Sequence, residues 1–299
     1  MRKRVIKNEE TDMNEGYERI IRKTIEFCEG EKDIGCVAII GSRSRDDGLS
    51  DEYSDVDLLI VCDDVERLFA RGEWMTAIGE TWAQFNEAMP DLGHWERRAV
   101  FAGGLDADFV LVDAKTLLEN PDGLVIARSI CGGGMRVLLD KRGLGQALEG
   151  LRGERRPASI PEESAFLNVV NDFFFHYLWA HKKLARGECW VSAQSVNGYL
   201  NAKLLTMLEW HERATRGIDY QTWYDGRRLE RWVDPEILPA LGEQFSRYES
   251  ADQRRVLRAK ARLFADIAGK AAEGFGFPLE TAGFSRLTAW VDANLSPRG

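Results

Sequence analysis

A chain of 299 residues with 44% hydrophobic residues can build two domains, each with a core of its own. Charged residues make up 30% and the net charge is −9, a field that disfavours bulk binding to nucleic acid or to an anionic membrane and attracts small polycations. Five cysteines, Cys28, Cys36, Cys62, Cys131 and Cys189, are scattered without a C-x-x-C pair, and no apolar run reaches signal-peptide or membrane-spanning length, so buried thiols and a cytoplasmic location are expected.

In chain order, Tyr17, Ile20, Ile21, Thr24, Ile25 and Cys28 recur at helical spacing and predict an amphipathic helix over about residues 15–31. Cys36–Ile40 reads as a buried strand ending at Gly41, and Val56–Val61 as a second strand that begins inside the pair Asp55 and Asp57. A mixed helical stretch is expected from Val65 to about Ala88, carrying Trp74 and Trp82 and closed by Pro90. Arg98–Ala102, the turn Gly103-Gly104 and Leu105–Val112 predict a hairpin, with Asp106 and Asp108 on one face. Gly132 to Gly134 reads as a turn before a last strand, Met135–Leu139. A charged stretch bearing Gly and Pro follows, and the domain boundary is placed in it, giving domains 1–158 and 159–299.

From Glu163 onward the pattern is helical. Phe166, Val169, Val170, Phe173, Phe174, Tyr177 and His181 trace one apolar face, and Val196, Tyr199, Leu200, Leu204, Met207, Leu208 and His211 trace another. A third helix over about residues 253–273 completes a bundle, with His181 and His211 in the core or at its rim.

The chemistry concentrates where the first two strands meet their loops. Asp55 and Asp57 lie one strand repeat apart and share a face, a poor core and a good cradle for a hard cation such as magnesium, which takes oxygen ligands and keeps phosphates in its shell. Gly41 lets backbone approach a ligand closely, while Ser42 and Arg43 offer a hydroxyl, amides and a guanidinium to phosphate oxygens. Mutual repulsion of the paired carboxylates should raise at least one apparent pKa when no metal is bound. No G-x-x-x-x-G-K-[ST] loop occurs, no G-x-G-x-x-G follows a strand, and the histidines lack zinc-ligand spacing with the cysteines.

Gly41-Ser42-Arg43 after one strand and Asp55-x-Asp57 opening the next resemble the nucleotidyltransferase superfamily of DNA polymerase β type. The stretches Trp74 to Glu80, Gly93 to Trp95, Asp108 to Val112, Val137 to Lys141 and Asn171 to Phe174 are similar, in order and spacing, to aminoglycoside 6-adenylyltransferases, over roughly Ile20 to Leu279. The resemblance implies an α+β fold, an N-terminal nucleotidyltransferase domain with a small mixed sheet and flanking helices joined to a C-terminal helical substrate-binding bundle, with the site in the cleft between them. It implies ATP and magnesium at Gly41, Ser42, Arg43, Asp55 and Asp57, and Asp108 as a third carboxylate, either metal ligand or base. Lys182 and Arg227 would hold outer phosphates, and Glu80, Trp95, Asn171, Asp172, Phe175 and Trp179 would contact a cationic aminoglycoside. The implied reaction is transfer of AMP to a hydroxyl, the 6-hydroxyl of streptomycin, with release of pyrophosphate and antibiotic resistance as the outcome. A monomer is expected, with neither nucleic acid nor membrane as partner.

Departures from the family pattern fall at Asp106, where a basic residue is usual, at Thr81, where arginine is common, at Asp172, where the acid is longer, and at Phe174 and Phe175, where tryptophans are usual. Other acceptors therefore stay open: another aminoglycoside, a lincosamide, a metabolite, or RNA or protein as the target of a toxin. A nucleotide-binding regulator without catalysis is the alternative from outside the enzymes.

Overall fold

A computed structural model describes residues 2–45, 50–89, 94–120, 124, 131, 134–151 and 159–295, with the backbone alone at 2–12, 88, 89, 94, 95 and 224. It divides the chain into two compact units, Met1–Arg156 and Pro157–Gly299.

The first unit is built on a six-stranded mixed sheet in the order β3-β4-β5-β2-β1-β6. Its central members are β1 (Ile34–Ile40) and β2 (Val56–Cys62), whose near-continuous apolar runs are buried on both faces. Strands β4 (His94–Phe101) and β5 (Leu105–Asp113) form the expected hairpin about Gly103 and Gly104, and β6 (Met135–Asp140) pairs with β1. Only β2 and β5 run parallel among the described pairs. The last strand in the sheet, β3 (Thr81–Met89), replaces the second half of the expected 65–88 helix. That segment instead makes two short helices, α2 (Val65–Ala70) and α3 (Met75–Ile78), before turning into a strand at Thr81. Glu, Ala and Met in 81–89 favour a helix locally, but pairing along the whole of β4 supplies the ladder that decides the state. Trp82 consequently stands 61% exposed on an outer strand.

Helix α1 (Arg2–Gly30) covers one face of the sheet, burying Tyr17, Ile20, Ile21, Thr24 and Cys28, with Val37, Ile39, Leu58, Ile60 and Phe109 in the same core. The opposite face packs Cys36, Ala38, Ile40, Leu59, Val61, Val110 and Val112 against two short helices, α4 (Ala114–Glu119) and α5 (Gly145–Gly150). Cys28, Cys36, Cys62 and Cys131 are buried, and burial pushes the thiols of the first three up to about 12.

The second unit is helical. Its core is shared by α6 (Glu163–Ala185), the short α7 (Cys189–Gln194), α8 (Leu200–Arg216), α9 (Ser250–Phe275) and α10 (Ala282–Asn294), with Phe173 stacked on Phe264 at 3.7 Å and Phe174 on Phe284 at 4.2 Å. His181 and His211 are buried in it, and burial lowers the first to about 4. Tyr199 departs from its expected place on the apolar face and is 42% exposed. A turn of π-helix at Ser195–Tyr199 adds a residue to the repeat and rotates that side chain out of phase with Leu200 and Leu204.

Candidate active site

Strand β1 leads from Ile40 into Gly41, whose φ of 71° lies in the left-handed region, and a 3-10 turn over Ser42–Ser44 follows. The turn is closed by the Ser44 hydroxyl, which donates to the Gly41 carbonyl at 2.8 Å. Ile40 pairs with Asp57 across the sheet, so a Cβ on Gly41 would collide with the Asp57 carboxylate, 3.1 Å from its Cγ. Glycine is thus required here both for conformation and for space. Gly134, at the entrance to β6 with φ 138°, meets the far side of the turn, where a Cβ would lie 2.5 Å from the Ser44 hydroxyl oxygen.

Register then assembles the acids. In the parallel pair, Asp57 of β2 lies opposite Asp108 of β5, with Asp55 just before β2 begins. Asp55, Asp57 and Asp108 each offer an oxygen within 4.8 Å of the others, and all three are half-buried. Oxygen ligands at about 2.0–2.6 Å from one divalent cation lie no farther apart than about 4–5 Å, so this donor set fits a hard divalent cation. The same sheet face continues inward as Leu59, Val61, Val110 and Val112, and the acids stand where that apolar face ends.

Burial pushes the Asp108 carboxyl up to about 6; the cation of Arg98 opposes the shift, while the charges of Asp55, Glu96 and Asp106 add to it. This shift falls on Asp108, outside the pair for which repulsion was expected to raise a pKa, and burial leads it. Arg98 lies opposite Asp108 in the β4–β5 hairpin, its Nε 3.3 Å from the carboxylate, and also reaches Glu96 at 2.6 Å and Glu87 at 3.3 Å. Sequence reasoning missed Arg98, although the register of a hairpin turning at Gly103-Gly104 places it there.

Asp106 shares the strand face with Asp108 but stands outside the trio, accepting a 2.7 Å hydrogen bond from the Tyr17 hydroxyl. Burial, with Asp106 beside it, pushes Tyr17 up to about 12, which keeps it a neutral donor. Arg43, expected to offer its guanidinium to phosphate, directs it to backbone instead. Its Nε donates to the carbonyls of Ser54 and Asp55, each at 3.0 Å, and its Nη2 to those of Asp51 at 3.1 Å and Ser54 at 2.6 Å. The Arg43 guanidinium also lies over the Tyr17 ring, 4.0 Å from its centroid. The structure therefore brings together Gly41, Ser42, Arg43, Asp55, Asp57 and Asp108, and gives the arginine a backbone-holding task.

The remaining expected residues belong to other elements. Glu80 is exposed ahead of β3, and its carbonyl accepts from the Ala102 amide at 2.8 Å. Trp95 lies on β4 opposite Leu111, and its side chain falls outside the described residues. In the helical unit Asp172 is the centre of a cluster: His176 Nδ1 lies 2.6 Å from its carboxylate, Lys203 Nζ 2.7 Å, and the Tyr199 hydroxyl donates to it at 2.9 Å. Burial pushes Asp172 up, but the hydrogen bonds from Lys203 and Tyr199 outweigh it and hold the carboxyl below its ordinary value. Trp179 neighbours His176 at 6.2 Å and carries Lys183 over its ring at 5.1 Å, while Phe175 is 65% exposed. Asn171, Lys182 and Arg227 are exposed. Tyr199 and Lys203 were missed because the π turn and the packing of α6 on α8, not local sequence, bring them to Asp172.

The family model described as streptomycin adenylyltransferase matches residues 14–293. An aminoglycoside 6-adenylyltransferase of Bacillus subtilis (strain 168) is 23% identical over 278 residues, covering 89% of this chain and 94% of that protein. One from Staphylococcus aureus is 24% identical over 223 residues, covering 72% of this chain and 76% of the relative. Among solved structures, an aminoglycoside 6-adenyltransferase from Bacillus subtilis aligns over 92% of this chain and 98% of its own, with a TM-score of 0.42 and 18% identity.

Proposed function

The chain belongs to the streptomycin adenylyltransferase family, and we propose that it transfers AMP from ATP to the 6-hydroxyl of streptomycin, releasing pyrophosphate and conferring resistance. The observation that carries this reading is the carboxylate trio, set by strand register beside a glycine turn.

Magnesium held by Asp55 and Asp57 would neutralise the triphosphate and favour departure of pyrophosphate. The turn at Gly41 and Ser42 supplies amide and hydroxyl donors to phosphate oxygens. As the acceptor oxygen forms its bond to the α-phosphorus and the bond to pyrophosphate breaks, the hydroxyl proton passes to a carboxylate oxygen of Asp108. Its raised proton affinity, near 6, suits a base at neutral pH. Asp55 and Asp57 remain anionic ligands in this scheme. In the helical unit, acceptor recognition is assigned to Asn171, Phe175, Trp179 and Asp172, the last as an oriented hydrogen-bond acceptor because Lys203 already balances its charge.

Use of ATP as donor supports a cytoplasmic location for the reaction. No described helix is long and apolar enough to cross a membrane. The net charge of −9 favours a polycationic acceptor over nucleic acid. The test is incubation of the purified protein with ATP, magnesium and a panel of aminoglycosides, with mass spectrometry of the products. A product heavier by one AMP is expected on streptomycin, at the 6-hydroxyl. An adduct confined to another aminoglycoside would overturn the streptomycin assignment, and no adduct on any would overturn acceptor and reaction together.

A further inference from the structure

The three acids are not held in the same way. Asp57 and Asp108 are fixed against each other by the β2–β5 ladder. Asp55 precedes β2, and its carbonyl is held by Arg43, which also holds the carbonyls of Asp51 and Ser54 in the same loop.

What orients Arg43 is Tyr17. This side chain of α1 is 1% exposed, a place that phenylalanine could fill, yet its hydroxyl bonds Asp106 and its ring lies beneath the Arg43 guanidinium. One buried ring therefore touches both segments that deliver the trio: the loop ending in Asp55, through Arg43, and β5 at Asp106, two residues before Asp108. The hydroxyl bond fixes the ring's orientation relative to β5, and the ring fixes the guanidinium relative to α1.

We propose that Tyr17 is a positioning residue for the divalent-cation site, setting the distance of Asp55 from Asp57 and Asp108 through Arg43. The inference rests on reading Asp55 and Asp57 as ligands of one metal ion beside Asp108. The polar contacts of Tyr17 are with Asp106 and Arg43, which border the acids, so its effect falls on metal affinity. Side chains that orient metal ligands typically govern affinity by about 10–100-fold.

The experiment is titration of the full-length protein with Mn2+ alone, following free ion by electron paramagnetic resonance, for wild type, Tyr17→Phe, Tyr17→Leu and Asp57→Asn. Unfolding temperatures and acceptor KM are measured in parallel. Tyr17→Leu, which removes ring and hydroxyl, is expected to weaken Mn2+ binding by about tenfold or more. Tyr17→Phe keeps the ring under Arg43 and should recover most of that loss, with acceptor KM unchanged in both. A merely structural tyrosine would lower the unfolding temperature and leave Mn2+ affinity as in wild type. Should Tyr17→Leu fail to fold, unchanged Mn2+ binding by both Tyr17→Phe and a folded Arg43→Ala would overturn the inference. Loss of binding in Asp57→Asn with wild-type binding in the Tyr17 variants overturns it alone. Equal binding by wild type and Asp57→Asn overturns the metal reading and this inference with it.

Discussion

The two units treat a buried carboxylate in opposite ways. At the end of the sheet Asp108 stands with Asp55 and Asp57, its partner Arg98 is divided among Asp108, Glu96 and Glu87, and burial leaves Asp108 with a raised proton affinity. In the helical unit, Asp172 has Lys203, His176 and Tyr199 to itself and is held below its ordinary range. At Asp108 burial outweighs the cation beside it, and at Asp172 the hydrogen bonds outweigh burial. Acidic residues matched to a family pattern thus differ in proton affinity, and the difference lies in their burial and their partners.

The sharpest way to break this comparison is to remove one acid from each cluster. Asp57→Asn should reduce AMP transfer by more than about a hundredfold, beyond the roughly 10- to 100-fold typical of residues that only orient ligands, while circular dichroism stays native. A comparable loss in Asp172→Asn would erase the contrast. Next in size is Gly41→Ala, which combines a positive φ with a Cβ against Asp57. It should cost about 1–3 kcal/mol in urea unfolding and weaken Mg-ATP binding more than acceptor binding.

Asp108→Asn sharpens the comparison through pH. The folded-state pKa of about 6 exceeds the ordinary 3.8, so the native state binds this proton more tightly than the unfolded chain does. The destabilisation is complete above about pH 6 and relieved as pH falls toward about 4. The variant should therefore gain up to about 3 kcal/mol at pH 8, lose that gain near pH 4, and transfer AMP poorly while still binding Mg-ATP. Thermal unfolding across that range checks the first part. Loss of Mg-ATP binding would make Asp108 a ligand rather than the base. The smallest effect is expected for Asp172→Asn, which leaves Lys203, 25% exposed, without its carboxylate. About 1 kcal/mol of stability and a few-fold rise in acceptor KM are expected, with kcat little changed.

How much of this was legible depended on whether the signal was local. Strands β1 and β2, the Gly103-Gly104 hairpin and the buried faces of α6, α8 and α9 follow from periodicity within a dozen residues. Asp55 and Asp57 were found for the same reason, since a strand repeat is a local rule. Strand β3 was not, because residues 81–89 carry good helix formers and become a strand only by pairing with β4. Arg98 and Tyr17 required, respectively, the hairpin register carried one step further and the crossing of α1 over the sheet. The Arg43 guanidinium was assigned to phosphate on its residue type, whereas the loop bearing Asp55 supplies carbonyls that claim it.

The central claim, that Asp55 and Asp57 hold a divalent cation against the triphosphate, is tested most directly by electron–nuclear double resonance on Mn2+ bound together with ATP. Wild type should show coupling of the metal to phosphorus nuclei, and Asp57→Asn should show neither that coupling nor tight Mn2+ binding. Phosphorus coupling of wild-type strength in Asp57→Asn would contradict the account.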